Sequence, residues 1–187
     1  MRLFVAVNLT DGVRQQVVDA MAPIRVPHSP VRWVAPQLFH VTVKFLGEVS
    51  ADQLSASQQV MDDVTARFNP FEIGYGGFGV FPNASRPKTI SIACEHQATL
   101  ELIQHEMVVQ MAGIGFEPEG RRFNPHLTLG RVRRNTPRRD LDVVLSIMDT
   151  LNFETTDYVE TLDLMASVRT PGGSSYECLH RSPLGAS

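Results

Sequence analysis

The chain has 187 residues, of which 43% are hydrophobic and 20% are charged, so it can form one core without a disulfide or a metal. Its formal net charge of −3 argues against a protein that coats long stretches of nucleic acid, and any such contact is expected to be local, at one end of a strand. No apolar stretch is long enough to span a bilayer, which argues against a membrane protein.

Cysteine usage and the opening residues indicate a cytoplasmic protein. Cys94 and Cys178 lie far apart in sequence, and two cysteines in a chain of this size are typical of free thiols in a reducing compartment, with a single disulfide as the alternative. The apolar run at 3–7 is too short for a secretory leader, and no small-residue cleavage site follows it. We expect one domain over residues 1–187.

The first third of the chain alternates strand and helix patterns. Thr10-Asp11 offers an N-cap for a helix whose apolar residues recur at helical spacing as far as Met21. Ser50 and Gln53 have the spacing of a capping box and predict a second helix, which continues to about Phe68. Runs rich in valine and phenylalanine predict strands at 3–9, 31–34 and 39–46.

After Asn69-Pro70 the composition shifts toward strands and turns. Helical spacing of apolar residues predicts helices over 100–111 and 140–151. The apolar runs between turn residues predict strands at 71–81, 88–94, 124–132 and 158–168, and a last hairpin strand at 175–180. Strands that alternate with helices, together with direct hairpins, indicate an α+β fold with mixed or antiparallel sheets.

Two of the predicted strands share one short pattern: His, apolar, Thr, apolar. It occurs as His40-Val41-Thr42-Val43 and again as His126-Leu127-Thr128-Leu129. Side chains two apart on a strand point to the same face, so each histidine shares a face with its threonine while the apolar residues face a core. Each strand therefore presents one imidazole and one hydroxyl together.

This set of groups suits chemistry on a phosphate. Two imidazoles can divide acid and base work near neutral pH, because their ordinary pKa is about 6.5. Two hydroxyls can donate hydrogen bonds to the oxygens of a phosphate between the rings. The two histidines lack a third ligand at close spacing, so no metal site is predicted. One His-x-Thr strand is typical of packing or surface residues; two favour a phosphate site, and the pattern alone leaves both interpretations open.

The residues around the two motifs carry a family resemblance. The segments 33–48 and 122–131 resemble the two signatures of the 2H phosphoesterase superfamily. Within it, the chain resembles the RNA 2',3'-cyclic phosphodiesterases, historically called 2'-5' RNA ligases. Further family-like stretches are the opening strand, the middle segment and the closing hairpin: 2–7, 79–82, Arg86-Pro87, Ser167 and Tyr176.

The resemblance implies a bilobal fold, with two pseudo-symmetric lobes of antiparallel or mixed sheet, outer helices and a central groove. It implies hydrolysis of a terminal 2',3'-cyclic phosphate to a 2'-phosphate, with neither a metal nor a cofactor. His40 would be the general acid and His126 the general base. Thr42 and Thr128 would bind the phosphate, and Arg131 would add a charge-assisted contact. The partners implied are RNA 3' ends or nucleoside 2',3'-cyclic phosphates, with no obligate protein partner.

Parity raises a question for several side chains near the motifs. Arg131 has the wrong parity to share a face with His126 on a regular strand, and Gly130 would permit a bulge that turns it inward. Parity places Phe45 on the core side, which argues against base stacking there. Tyr176 is expected to line the ligand pocket or to bury its hydroxyl, and His180 shares its parity.

The basic cluster after the second motif has two interpretations. It can contact the RNA backbone beyond the terminal nucleotide, or it can form a solvated surface. Its members are Arg131, Arg133, Arg134, Arg138 and Arg139.

Two other functions remain open at this point. Ligation is the reverse reaction and would use the same residues by microscopic reversibility. A binding module of the same fold without catalysis is the other, and the two complete motifs argue against it, because binding alone needs no paired proton donors.

Overall fold

The computed structural model describes residues 1–118, 120, 122–170 and 173–185. Its strands form one nine-stranded sheet in the order β7-β4-β5-β6-β3-β1-β8-β9, with β2 paired to β6. Every strand pairing found among the described residues is antiparallel. Of the two sheet types expected, mixed or antiparallel, the structure therefore has the antiparallel one. The strands are β1 Arg2–Asn8, β2 Val31–Trp33, β3 His40–Glu48, β4 Phe71–Phe81, β5 Thr89–Cys94, β6 His126–Val132, β7 Glu154–Val159, β8 Thr161–Thr170 and β9 Gly173–Pro183.

Helices cover one face of this sheet: α1 Asp11–Met21, α2 Ala51–Thr65, α3 Ala98–Gly113 and α4 Arg138–Met148. Each of them contributes buried side chains to the main core, among them Val17, Met61, Met107 and Val144, which pack with strand residues such as Leu127. Burial of this apolar face is what holds the helices on the sheet. The opposite face of the sheet, which carries a small apolar cluster, is called the groove face.

The sheet has two halves that meet at one point. Strands β1, β3, β8 and β9 form the first lobe, and β2, β4, β5, β6 and β7 form the second. Between β3 and β6 the paired residues are Val41 and Leu127, both fully buried. The predicted bilobal α+β architecture is confirmed, and its two lobes join between the two His-x-Thr strands.

Most predicted elements are found, but one strand prediction is wrong. The run predicted as a single strand at 158–168 is two strands, which separate at Glu160. β7 pairs with β4 in the second lobe, whereas β8 pairs with β1 in the first. The chain therefore crosses between lobes within one apolar run, and local alternation carries no sign of such a crossing.

The two predicted helix caps differ in outcome. The Ser50 hydroxyl accepts from the Gln53 amide, and the Gln53 side chain accepts from the Ser50 amide, so the capping box is confirmed. Thr10 occupies the N-cap position of α1 but makes no side-chain cap. Its hydroxyl donates instead to Asp157 at 2.7 Å, which ties α1 to β7.

Both cysteines are free thiols, which agrees with the interpretation from sequence. Cys178 is exposed and Cys94 is half-buried. Burial raises the pKa of Cys94 to about 12, which favours the protonated thiol.

Candidate functional site

The junction between the lobes brings the two predicted motifs together. Because β3 and β6 run antiparallel with Val41 opposite Leu127, the register places His40 across from Thr128 and Thr42 across from His126. All four side chains point to the groove face, since their neighbours Val41 and Leu127 point into the core. The two histidines thus lie on one diagonal and the two threonines on the other.

Both imidazoles are fixed in the same way. The Nδ1 atom of His40 lies 2.7 Å from the Leu38 carbonyl, and that of His126 lies 2.9 Å from the Asn124 carbonyl. A carbonyl only accepts, so each Nδ1–H donates, and each Nε2 is left for the groove. Each partner lies two residues before its histidine, so one local conformation fixes the tautomer in both strands.

The two rings have different surroundings. His40 is half-buried, with its ring 4.9 Å from that of Phe4 and 5.2 Å from that of Tyr176. Burial lowers the pKa of His40, the hydrogen bond to Leu38 opposes this, and the charge of His126 lowers the pKa further. His126 is exposed.

The threonine hydroxyls are available to a ligand. Thr42 and Thr128 are half-buried, and neither hydroxyl has a hydrogen-bond partner within the part of the chain that the structure describes. Ser91 on β5 lies next to Thr128 and is 9% exposed, so it adds a third hydroxyl to this face. Hydroxyls held in place without protein partners suit an anion that accepts their hydrogen bonds.

A bulge in β3 overturns the placement of Phe45. Val5 pairs with Lys44 but Ala6 pairs with Thr42, so Val43 is the extra residue. Val43 and Lys44 are therefore both buried, and the Lys44 ammonium donates to the carbonyls of Phe45 and Glu117. Beyond the bulge, Phe45 returns to the groove face with 59% of its surface exposed, and the inference that it faces the core is wrong.

A bulge at the same place in β6 brings Arg131 to the groove face. Ser91 pairs with Thr128 and Ile90 with Gly130, so Leu129 is the extra residue. A Cβ atom at Gly130 would lie 2.5 Å from a Val31 methyl group and 2.8 Å from the Trp33 ring, so only glycine allows this approach. Arg131 follows on the face of His126 and Thr128, and it is exposed.

The closing hairpin sends its two candidate side chains in different directions. Tyr176 lies on the groove face and contacts both Phe4 and His40. A register shift between Leu164 and Met165 turns His180 to the helical face, where its Nε2 lies 2.8 Å from Asp62. Burial raises the pKa of Asp62, but hydrogen bonds from Ser182 and His180 outweigh it and leave that pKa below its ordinary value. The shared parity of His180 with Tyr176 is thus broken.

A buried carboxylate beside the first-lobe site is neutralised. Asp163, on β8 next to Ala6, is 2% exposed and accepts from the Asn8 amide at 2.7 Å and the Arg181 Nε at 2.8 Å. These bonds compensate its charge, so the groove can accept an anion without repulsion from this group.

The basic cluster includes three arginines that are held by protein partners. Arg138 binds Asp142 and the carbonyls of Ala84 and Ser85, which holds the turn before β5. Arg139 lies 3.4 Å from Asp140, and Arg133 donates to the Ser29 carbonyl. These three arginines have structural contacts.

Sequence reasoning named Tyr176 but missed two other aromatic side chains of the first lobe. Phe4 was not considered, and Phe45 was placed on the core side, although Phe45 follows His40 by the same five residues by which Arg131 follows His126. Alignment of the two repeats beyond the motifs would have matched Phe45 with Arg131.

In the described part of the chain, no three His, Cys, Asp or Glu side chains form a cluster that could hold a metal ion. Likewise, no described helix combines the length and the apolar character that crossing a membrane requires.

The sequence has known relatives. The sequence model of the LigT-like phosphoesterase family matches residues 7–91 and again residues 90–176, and each match contains one His-x-Thr strand. An RNA 2',3'-cyclic phosphodiesterase of Archaeoglobus fulgidus is 33% identical, over 96% of this chain and 98% of its own length. One from Methanothermobacter thermautotrophicus is 31% identical, over 94% of each chain.

The fold has solved counterparts. The crystal structure of TT0787 from Thermus thermophilus has a TM-score of 0.84 and 25% sequence identity, and the match covers 99% of this chain and 98% of that one. E. coli LigT complexed with 3'-AMP has a TM-score of 0.79 at 24% identity, with 98% and 97% of the two chains covered. The bilobal arrangement of this chain is therefore a recurrent fold.

Proposed function

Because the chain belongs to the LigT-like phosphoesterase family, we propose that it opens 2',3'-cyclic phosphates at RNA 3' ends and in nucleosides, leaving a 2'-phosphate. The single observation that carries this proposal is the pair of histidines with equivalent Nδ1 anchors, which leave both Nε2 atoms facing one groove. Since the groove needs both halves of the sheet, residues 1–187 act as one domain. The two free thiols suit a reducing cytoplasm.

The reaction is an in-line displacement at phosphorus. Neutral His126 takes a proton from water through Nε2 as the water oxygen forms its bond to phosphorus. The bond from phosphorus to the 3'-oxygen breaks, and His40 donates its Nε2 proton to that oxygen. The diagonal placement of the rings supports attack and departure on opposite sides of the phosphate.

The protonation of His40 depends on the substrate. Burial favours its neutral form, whereas a general acid must carry a proton. The negative charge of a bound cyclic phosphate favours the imidazolium form, so binding raises the pKa of His40 toward the value that the step needs. Before binding, the ring is mainly neutral near pH 7, so it is the bound substrate that favours the protonated form needed in a general acid.

The remaining contacts divide between phosphate and base. Thr42 and Thr128 donate to the non-bridging phosphate oxygens, and the positive charge of Arg131 lies farther along the same face. The terminal base lies against the aromatic side chains of the first lobe, where Phe45 is exposed and Tyr176 contacts His40.

The test is incubation with 2',3'-cyclic AMP in the presence of EDTA, with the product separated from authentic 2'-AMP and 3'-AMP. We expect turnover to 2'-AMP. A 3'-AMP product would mean that the 2'-oxygen leaves instead of the 3'-oxygen. Binding without turnover would favour a non-catalytic module. Loss of turnover on chelation would point to a metal instead.

A further inference from the structure

Two arginines on neighbouring strands of the second lobe face each other. Arg32 on β2 is directly opposite Arg131 on β6, and both are exposed. Residues opposite each other in an antiparallel pair share a face, so Arg32 lies on the groove face with Arg131. Neither has an ion-pair or hydrogen-bond partner among the residues that the structure describes, in contrast to Arg133, Arg138 and Arg139.

This pairing is unfavourable in the absence of an anion. Like charges at directly opposed positions repel, and the neighbour of Arg131 on β5 is Thr89, which brings a hydroxyl and no negative charge. Two guanidinium groups can only donate hydrogen bonds and a hydroxyl can donate one, so a phosphate can accept from all three. The set has the composition of a phosphate site.

The anion at this pair differs from the one between the histidines. Leu127 marks the junction of the lobes on β6, and Arg131 lies about 10 Å farther along the strand once the bulge is allowed for. In an RNA chain, the anion nearest to a terminal cyclic phosphate is the internucleotide phosphate on the 5'-oxygen of the same nucleoside. Resting on the proposed function, we infer that Arg32 and Arg131 bind this upstream phosphate, so the preferred substrate is an RNA end with at least two nucleotides.

There is room for the upstream nucleotide next to Arg32. A cavity of about 700 Å³ is lined by Arg32 together with Trp33, His28, Arg133, Arg134 and Asp140. Its volume lies within the range of small-molecule sites in proteins. The net charge of −3 agrees with this short contact, because a longer track along RNA would require more basic residues.

The experiment compares two substrates, adenosine 2',3'-cyclic phosphate and the dinucleotide ApA with a 2',3'-cyclic phosphate end. The readout is the ratio of kcat/KM for the dinucleotide to that for the mononucleotide. We expect the wild-type ratio to exceed one, and Arg32→Gln to lower it about tenfold through loss of a charge-assisted phosphate contact. Arg32→Lys keeps the positive charge but lacks the paired donors of the planar guanidinium group, so its ratio should fall between those of the wild type and Arg32→Gln.

Arg67→Gln is the matched control, because it removes the same charge near the end of α2, on the helical side, and should leave the ratio unchanged. Added KCl should lower the wild-type ratio more than that of Arg32→Gln. A wild-type ratio near one, or equal loss on both substrates in Arg32→Gln, would overturn the inference and leave the proposed function intact. If the wild-type protein hydrolyses neither substrate, both the inference and the proposed function are refuted.

Discussion

The two His-x-Thr strands share a frame and differ in chemistry. Both anchor Nδ1 on a carbonyl two residues back, and both have a bulge after the threonine that returns the fifth residue after the histidine to the groove face. In β3 that fifth residue is Phe45 and in β6 it is Arg131. His40 is packed among aromatic rings, whereas His126 is exposed.

This difference shows how one backbone geometry serves two roles. The shared backbone geometry leaves both Nε2 atoms facing one groove, which a two-histidine displacement requires. Burial of His40 then lowers the pKa of that ring. Under the proposed function, the fifth residue sorts the substrate, with the base toward the Phe45 side and the backbone toward the Arg131 side.

The largest expected effect comes from loss of either imidazole. His40→Ala and His126→Ala should each lower kcat for 2',3'-cyclic AMP by about 10²–10⁴-fold, since each removes one proton transfer. His105→Ala, on the exposed face of α3, is the control and should keep full activity. Full activity of either groove variant would remove that residue from the mechanism.

The pH dependence of the residual activity assigns the two roles. In His126→Ala the remaining acid is His40, so kcat/KM should fall as pH rises through a pKa below 6.5, its direction of shift. In His40→Ala this fall should be absent, because the acid that causes it has been removed. A fall that persists in His40→Ala and is lost in His126→Ala would exchange the roles of acid and base.

Phe45→Ala tests the base side of the groove. We expect KM for 2',3'-cyclic AMP to rise about tenfold through loss of stacking, with little change for ribose 2',3'-cyclic phosphate, which has no base. Leu102→Ala is the control, because this α3 side chain is exposed to a similar degree, 57% against 59%, on the helical side. Equal effects on both substrates would mean that Phe45 supports the strand and not the base.

Gly130→Ala tests the bulge of β6 and has the smallest effect on chemistry. The new Cβ would collide with Val31 and Trp33, so the free energy of unfolding should fall by about 1–3 kcal/mol. Gly12→Ala in α1 meets nothing within 4 Å and should stabilise the protein by up to about 1 kcal/mol. Denaturant titration measures the change in the free energy of unfolding of each variant. No change in Gly130→Ala would show that β6 tolerates a side chain there.

Local pattern predicted the elements that depend on local chemistry. The capping box at Ser50 and the apolar backs of both motif strands were predictable, because neighbouring residues determine them. The bulges were only partly predictable. Gly130 signals one in β6, but in β3 the bulged pair is Val43 and Lys44, which carry no such signal, so parity misplaced Phe45.

Pairing between distant strands was beyond the sequence. The crossing at Glu160 and the turn of His180 toward Asp62 depend on which strand each segment meets, and that choice is made by the whole sheet. The face-to-face placement of Arg32 and Arg131 is of the same kind, since the long stretch of chain between them hides it from local patterns.

The most direct test of a single anion held between the two lobes is a titration with 2'-AMP followed by ¹⁵N NMR of the imidazoles. Bound phosphate should shift the Nε2 signals of both His40 and His126 along one saturation curve, with one nucleotide per chain, and Thr42→Val should weaken both shifts together. Response of only one ring, or two separate saturation curves, would contradict a shared phosphate.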